Sequence, residues 1–168
     1  MINIDFFTLF GIAPQFTQDP AAVKARYLEL QQKMHPDNFV NKLANEKQLA
    51  NHYAAIVNEA YQVLKCPLQR AIYLLKINGV DTQSETDTQM PVEFLLEQME
   101  YHERLAELSD EAQRNECAKQ LNNAWQLCEL GLANTLNSSP KALADARLWV
   151  RKMQFYAKLR QEVAVCLS

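Results

Sequence analysis

A polar tripeptide between two amphipathic segments constrains the fold of this chain more than any other feature of its sequence. The first segment carries apolar side chains at helical spacing: Val23, Tyr27, Leu30 and Met34. The second carries a longer stripe of the same kind: Leu49, Tyr53, Ile56, Val57, Ala60, Tyr61 and Leu64. Pro36 disfavours helical backbone at the residue before it and ends the first helix. The pattern therefore predicts a helical hairpin that presents His35, Pro36 and Asp37 at an exposed corner.

Helical periodicity continues through almost every long stretch of the sequence. Glycine and proline, which interrupt helices, number only 3 and 6 in 168 residues. We therefore predict an all-α fold. Its helices are expected over residues 5–10, 20–34, 42–65, 67–78, 91–108, 110–136 and 140–167. Gly11 is typical of a helix end, and Asp19 followed by Pro20 is typical of a helix start.

A polar stretch divides these helices into two groups. Residues 81–89 contain no apolar side chain, which is typical of a connecting loop. We predict an N-terminal domain over residues 1–80, a connecting loop over 81–90 and a C-terminal domain over 91–168. Short turns join the three helices of the C-terminal domain, and they favour antiparallel neighbours in a three-helix bundle.

Charge and hydropathy exclude several classes of protein. The net charge is -3, so attraction to nucleic acid or to an anionic membrane is not expected. No apolar run approaches the length of roughly 18 residues that a transmembrane helix needs. Residues 1–5 lack the basic and apolar regions that open a signal peptide. We therefore predict a cytoplasmic protein that binds neither nucleic acid nor membrane.

The sequence contains no motif of a catalytic or metal site. Gly-rich phosphate loops, nucleophile elbows and zinc-peptidase motifs are absent. None of the cysteines has the C-x-x-C spacing of a zinc or redox site, and their simplest interpretation is as small buried apolar residues. These cysteines are Cys66, Cys117, Cys128 and Cys166. We predict a protein that is not an enzyme and that needs no metal or other cofactor.

Four segments of the N-terminal half, in order along the chain, resemble a J-domain, the module that switches on the ATPase of heat-shock chaperones. Residues 5–12 are similar to the D-Y-F-x-L-F-G opening of that family, and His35-Pro36-Asp37 follows the second helix. Residues 56–64 are similar to the third J-domain helix, and residues 67–71 match its P-x-x-R-A continuation. The tripeptide alone favours a simple helix stop followed by a turn. The four segments together favour the J-domain.

This resemblance implies a set of residues that contact the chaperone ATPase: His35, Pro36, Asp37, Lys24, Arg26 and Lys33. Arg26 and Lys33 are seven residues apart and share a face of the second helix. A solvated helix face explains the three basic residues equally well. The chain departs from the J-domain pattern at Leu28-Glu29, where a Lys-Arg pair is common, and at Met34 and Asn38. These departures favour a dedicated chaperone over a broad electrostatic contact.

The C-terminal half is similar to HscB, the J-domain co-chaperone family of iron–sulfur cluster assembly. Residues 94–100 resemble the F-L-M-E-Q-L-E run of that family. The Gly/Phe-rich tract and the C-x-x-C-x-G-x-G repeats of general J-proteins are absent. The resemblance implies an L-shaped two-domain arrangement, with an N-terminal J-domain helical hairpin and a C-terminal three-helix bundle. It also implies two partners, an HscA-type heat-shock chaperone ATPase and an IscU-type iron–sulfur scaffold protein.

The fifth predicted helix has two apolar faces. One stripe suits the bundle core: Phe94, Tyr101, Leu105 and Leu108. The opposite side carries a second apolar set that continues into carboxylates: Val92, Leu95, Leu96, Met99, Glu100, Glu103 and Glu107. Periodicity alone favours a wider core for this second face, and a docking patch with an acidic rim is the alternative. The HscB resemblance favours the patch and implies these scaffold-binding residues: Leu95, Leu96, Met99, Glu100, Glu103, Glu107 and Phe155.

Phe155 lies on the last helix, at the edge of its apolar arc and near Leu159. The predicted core stripe of that helix is Trp149, Met153, Tyr156, Val163 and Leu167. Phe155 is either partly exposed, as the family resemblance implies, or a peripheral core residue.

The family resemblance implies an adaptor with two binding surfaces. The J-domain would stimulate the chaperone ATPase, while the C-terminal bundle would deliver the scaffold to the same chaperone. Three other interpretations stay open. They are a general J-domain chaperone that holds unfolded clients, a metal- or cluster-binding protein that uses Cys117 and Cys128, and a purely structural bundle.

Overall fold

The structure, a computed structural model, describes residues 4–34, 44–82, 90–108, 110–138 and 141–167. Its helices are α1 (Phe6–Phe10), α2 (Pro20–Lys33), α3 (Ala44–Lys65), α4 (Pro67–Ile77), α5 (Val92–Glu107), α6 (Glu111–Leu136) and α7 (Leu143–Leu167). These residues contain no strand, and the predicted all-α fold is confirmed. Within the described ranges, no helix combines the length and the apolarity that crossing a bilayer requires.

The chain folds into two compact units, Met1–Leu74 and Leu75–Ser168. The division falls inside α4, which the sequence analysis placed wholly in the N-terminal domain. Most of the predicted connecting loop, residues 83–89, lies outside the described residues. The predicted domain limits therefore stay a prediction.

In the first unit, Asp5 and Tyr73 attach α1 to α4. The Asp5 carboxylate accepts hydrogen bonds from the backbone N–H of Thr8 at 3.0 Å and from the Tyr73 hydroxyl at 3.1 Å. The backbone N–H of Phe6 donates to the same hydroxyl at 3.0 Å. Burial raises the pKa of Asp5, but these hydrogen bonds outweigh burial and hold the pKa below its usual value. Gly11 ends α1 with a φ of 64°, the left-handed conformation predicted for it.

The buried Arg70 of α4 ties together two distant parts of the first unit. Its Nε donates to the carbonyl oxygen of Phe16 at 2.7 Å, and its Nη1 donates to that of Leu64 at 2.5 Å. The guanidinium carbon also lies 5.1 Å from the ring centroid of Phe16. Since Leu64 is in the last turn of α3, its carbonyl has no partner within the helix. The arginine of the P-x-x-R-A motif therefore has a structural role.

The hairpin of α2 and α3 packs along the predicted stripes. Its buried side chains are Val23, Leu30, Ala50, Val57, Ala60 and Leu64. Leu49 was predicted to begin the stripe of α3, and that prediction is wrong, because more than half of its surface is exposed. Ala50, Val57 and Leu64 are separated by two helical turns each, so the buried stripe starts one residue later.

In the second unit, α6 and α7 form most of the core and α5 completes the bundle. The largest fully buried side chains of α6 and α7 are Leu121, Leu132, Leu136, Met153 and Leu159. From α5, Phe94 and Tyr101 each meet the ring of Tyr156 edge to face, with 6.0 Å between ring centroids. Trp149 was predicted to belong to the core stripe of α7, but it is only half-buried. Leu159, named in the prediction only as a neighbour of Phe155, is fully buried.

Candidate functional site

The two faces of α5 have opposite environments. Phe94 and Tyr101 point into the bundle and are buried. On the other side of the helix, Leu95, Leu96 and Met99 keep 45%, 55% and 60% of their surface exposed. The wider core that periodicity alone favoured is therefore wrong. We call the exposed side the α5 outward face: Val92, Leu95, Leu96, Met99, Glu100, Glu103 and Glu107.

Carboxylates continue the α5 outward face toward the end of the helix. Glu100, Glu103 and Glu107 are exposed, and no ion pair joins them to another residue of the described chain. Three successive carboxylates at spacings of three and four residues lie on one side of a helix. The face thus combines an apolar centre with an acidic end, a composition suited to a partner with apolar and basic side chains.

Phe155 of α7 adjoins α5 and is half-buried. Its ring meets Phe94 edge to face at 5.5 Å between centroids, and it lies 6.2 Å from Tyr101 and 5.9 Å from His102. The two interpretations of Phe155 are therefore compatible, since it packs on the aromatic core and keeps part of its surface accessible. The aromatic contacts also hold α5 in a fixed position against α7.

The basic residues of α2 are mostly in ordinary surface environments. Lys24 and Lys33 are exposed, whereas Arg26 donates to Glu29 across one helical turn at 2.8 Å. Leu28 projects from the same helix and is more than half exposed. None of these side chains is buried, and we call them together the α2 outward face: Lys24, Arg26, Leu28, Glu29 and Lys33. The predicted contacts His35, Pro36 and Asp37 lie outside the described residues, as does Asn38.

A polar network that the sequence analysis missed fixes α2 against α3. The Tyr27 and Tyr61 rings stack with 4.0 Å between centroids and 10° between planes. The Tyr27 hydroxyl donates to Asn58 at 3.0 Å, and the amide of Gln31 donates to both groups at 2.6 and 3.0 Å. A tyrosine pair was visible in the sequence, but its cross-helix register was not. These contacts set the register of α2 against α3.

Cys117 and Cys128 are buried in the second unit, as their interpretation as small apolar residues predicts. Burial raises the pKa of both thiols, that of Cys128 to about 12. A thiol must lose its proton to bind a metal, so these environments oppose a ligand role. In the ranges that the structure describes, no group of three or more His, Cys, Asp or Glu residues is arranged to hold a metal ion. The side chain of Cys166 is outside the described part.

Sequence models of two known domains match this chain. A DnaJ domain matches residues 5–73, and the C-terminal oligomerisation domain of HSCB matches residues 90–164. The first match covers the helical hairpin and the second covers α5, α6 and nearly all of α7. Together with the all-α fold, they define the chain as a J-domain co-chaperone.

Relatives and solved structures show the particular family. The co-chaperone protein HscB homolog of Shewanella sp. (strain MR-4) is 36% identical over 165 residues, which cover 95% of each chain. The structure of chaperone HscB from Vibrio cholerae matches with a TM-score of 0.83 and 32% identity over 98% of each chain. The structure of human co-chaperone protein HscB matches with a TM-score of 0.92 and 28% identity, over 99% of this chain and 84% of that one. This chain belongs to the HscB family.

Proposed function

We propose that this chain is a co-chaperone of iron–sulfur cluster assembly. In this proposal it stimulates the ATPase of an HscA-type chaperone and delivers an IscU-type scaffold protein to it, in the cytoplasm. The observation that carries the proposal is the α5 outward face, which exposes four apolar side chains on a helix whose core contacts are already complete.

The α5 outward face supplies the contact with the scaffold protein. Burying apolar surface yields roughly 25 cal/mol per Å², so a partner that covers Leu95, Leu96 and Met99 together gains substantial affinity. Glu100, Glu103 and Glu107 would attract basic residues of the scaffold and orient it along α5. Phe155 adds an aromatic edge beside the same helix. Aromatic anchors next to a rigid apolar patch are typical of the residues that dominate binding energy.

The J-domain hairpin supplies the contact with the chaperone. The DnaJ match and the fixed α2–α3 pair support this assignment. The proposed contacts are Lys24, Arg26 and Lys33, with the corner residues His35, Pro36 and Asp37. A rigid helix pair presents such a corner in one orientation, which lets a polar contact act specifically.

Joining the two contacts in one chain explains how an adaptor works without a reacting group of its own. A scaffold held on the α5 outward face is present at a high effective concentration near any chaperone that holds the J-domain. Hydrolysis takes place in the chaperone, where the J-domain accelerates it. The chain contributes binding and position, and we propose that it is not an enzyme.

The test is steady-state ATP hydrolysis by the HscA-type chaperone, with the scaffold and this chain added singly and together. The variants are His35→Gln and Leu95→Ala/Leu96→Ala/Met99→Ala. A matched control, Leu49→Ala/Ile77→Ala, removes exposed apolar surface elsewhere. We expect the scaffold and this chain together to stimulate hydrolysis more than the sum of their separate effects. His35→Gln should abolish this synergy, and Leu95→Ala/Leu96→Ala/Met99→Ala should show it only at much higher scaffold concentration. The control variant should behave as the unaltered chain does.

Two results would contradict parts of the proposal. No stimulation by the unaltered chain would exclude the J-domain activity. Stimulation that is indifferent to the α5 substitutions, together with binding of many denatured proteins, would favour a general J-domain chaperone that holds unfolded clients.

A further inference from the structure

A groove of about 360 Å³ is lined by side chains of α5, α6 and α7, none of which belongs to the α5 outward face. Glu97 of α5 forms one wall, and Leu127 and Leu130 of α6 form the other. Trp149 and Lys152 of α7 form its floor. A concave site with apolar walls, an aromatic floor and a few polar groups has the usual composition of a binding pocket.

Close packing fixes the floor of the groove. Gly131 lies inside α6, where a Cβ atom would overlap the indole ring of Trp149. The missing side chain therefore allows the ring to lie directly on the α6 backbone. The Lys152 ammonium lies 5.2 Å from the Trp149 ring centroid and 5.1 Å from that of Phe94. These contacts set the position of the indole before any partner binds.

A hydrogen bond fixes the α5 wall. The Tyr156 hydroxyl donates to the Glu97 carboxylate at 2.7 Å. Burial, followed by the hydrogen bond and charge of Glu97, raises the pKa of Tyr156, so this hydroxyl stays protonated and continues to donate. Since the α5 wall and the floor are positioned in advance, a ligand loses little binding energy to their rearrangement.

The α6 wall exposes more apolar surface than the fold needs. Leu127 and Leu130 are 62% and 59% exposed, although they are only three residues apart on a helix whose core side is filled by other residues. Two adjacent exposed leucines above a tryptophan form a compact apolar site. An apolar side chain that entered it would contact three hydrophobic surfaces at once.

The groove opens beside the α5 outward face, and this continuity identifies its occupant. Glu97, on the rim of the groove, follows Leu96 in sequence and precedes Glu100 by one helical turn. A protein that covers Leu96 and Glu100 on the α5 outward face therefore reaches the groove. We propose that the groove receives an apolar side chain from the same scaffold protein that docks on the α5 outward face. The groove is then a second anchor of that contact. This inference rests on the proposed function.

The two tryptophans of the chain test this inference directly. Trp149 lies in the groove, whereas Trp125 is absent from its lining and donates its Nε1–H to Glu129 at 2.7 Å. In protein labelled with 5-fluorotryptophan, titration with a purified IscU-type scaffold should shift the ¹⁹F resonance of Trp149 saturably and leave that of Trp125 in place. Saturable binding with no change at Trp149, or with equal changes at both tryptophans, would overturn the inference.

A substitution test separates the groove from the proposed function. Leu127→Ser/Leu130→Ser should weaken scaffold binding about tenfold, while Leu28→Ser/Leu49→Ser, a matched exposed pair in the first unit, should leave it unchanged. Circular dichroism should show the same helix content in both variants. Leu95→Ala/Leu96→Ala/Met99→Ala is measured in the same titration.

The pattern of results decides between the two proposals. Weakening by the α5 substitutions but not by Leu127→Ser/Leu130→Ser would overturn the groove and leave the function in place. Failure of the scaffold to bind the unaltered chain would overturn both. Equal weakening by Leu28→Ser/Leu49→Ser would also overturn the groove, because any exposed leucine would then have the same effect.

Discussion

The outward faces of α2 and α5 are built on different physical principles. The α2 outward face is mainly charged, and its arginine, Arg26, is already paired with Glu29. The α5 outward face has an apolar centre of leucines and a methionine, and its carboxylates have no ion-pair partner in the described chain. A charged face gives orientation and fast association, whereas an apolar face gives affinity. The comparison predicts that salt weakens the α2 contact more than the α5 contact.

The two faces also differ in how the fold supports them. In the first unit, the support includes polar contacts: the Tyr27 network between α2 and α3, and the buried guanidinium of Arg70. Behind α5, the support is aromatic, from Phe94, Phe155 and Tyr156. The Arg70 hydrogen bonds are buried, so removal of this arginine leaves two buried carbonyl groups without them.

The largest expected effect comes from removing the polar support in the first unit. Arg70→Met leaves the buried carbonyls of Phe16 and Leu64 without these hydrogen bonds, and should lower the free energy of unfolding by about 3 kcal/mol. Urea denaturation measures this, with the exposed Lys47→Met as the control. Chaperone stimulation should fall while scaffold binding is kept. An equal loss of both activities would contradict the separation of the two faces.

A smaller effect is expected from the carboxylates of the α5 outward face. Glu100→Gln/Glu103→Gln/Glu107→Gln should slow scaffold association about tenfold at low salt, because long-range attraction is lost. At high salt the difference should shrink, since charges are screened. Stopped-flow kinetics measures the association rate at both salt concentrations.

The control for the carboxylates matches the change in net charge. Glu111→Gln/Glu116→Gln/Asp145→Asn removes three exposed charges from α6 and α7. It should leave the association rate nearly unchanged. Equal slowing by the two triple variants would mean that net charge, rather than the acidic end of α5, attracts the scaffold.

The smallest expected effect tests whether Arg26 of the α2 outward face contacts the chaperone. Glu29→Gln releases Arg26 from its ion pair, so half-maximal chaperone stimulation should need about two- to threefold less protein at low salt, in keeping with the small energies of surface ion pairs. The gain should vanish in the Arg26→Gln background. A gain that persists without Arg26 would show that the arginine is not a contact.

The sequence predicted the helices well because caps, prolines and apolar spacing are local signals. Gly11, Asp19 and Pro20 all begin or end helices at the predicted positions. The α5 outward face was harder to predict, because periodicity shows that a helix has two apolar sides but not which neighbours cover them. Family resemblance, rather than periodicity, favoured the exposed assignment.

Contacts between residues distant in the sequence could not be predicted from the sequence pattern. The P-x-x-R-A motif contains Arg70, but its acceptor on Phe16 is 54 residues away. The groove depends on Trp149 packing against Gly131, and a glycine within a helical pattern was its only sequence signal. The corner residues His35, Pro36 and Asp37 stay a prediction.

The most direct test of the account is the affinity of the scaffold protein for the α5 outward face, measured by isothermal titration calorimetry. The account predicts that Leu95→Ala/Leu96→Ala/Met99→Ala weakens binding by about 100-fold, because these side chains form the apolar centre of the contact. It predicts that His35→Gln binds the scaffold as tightly as the unaltered chain does. Unchanged affinity in the α5 variant, with its helix content intact, would contradict the central claim.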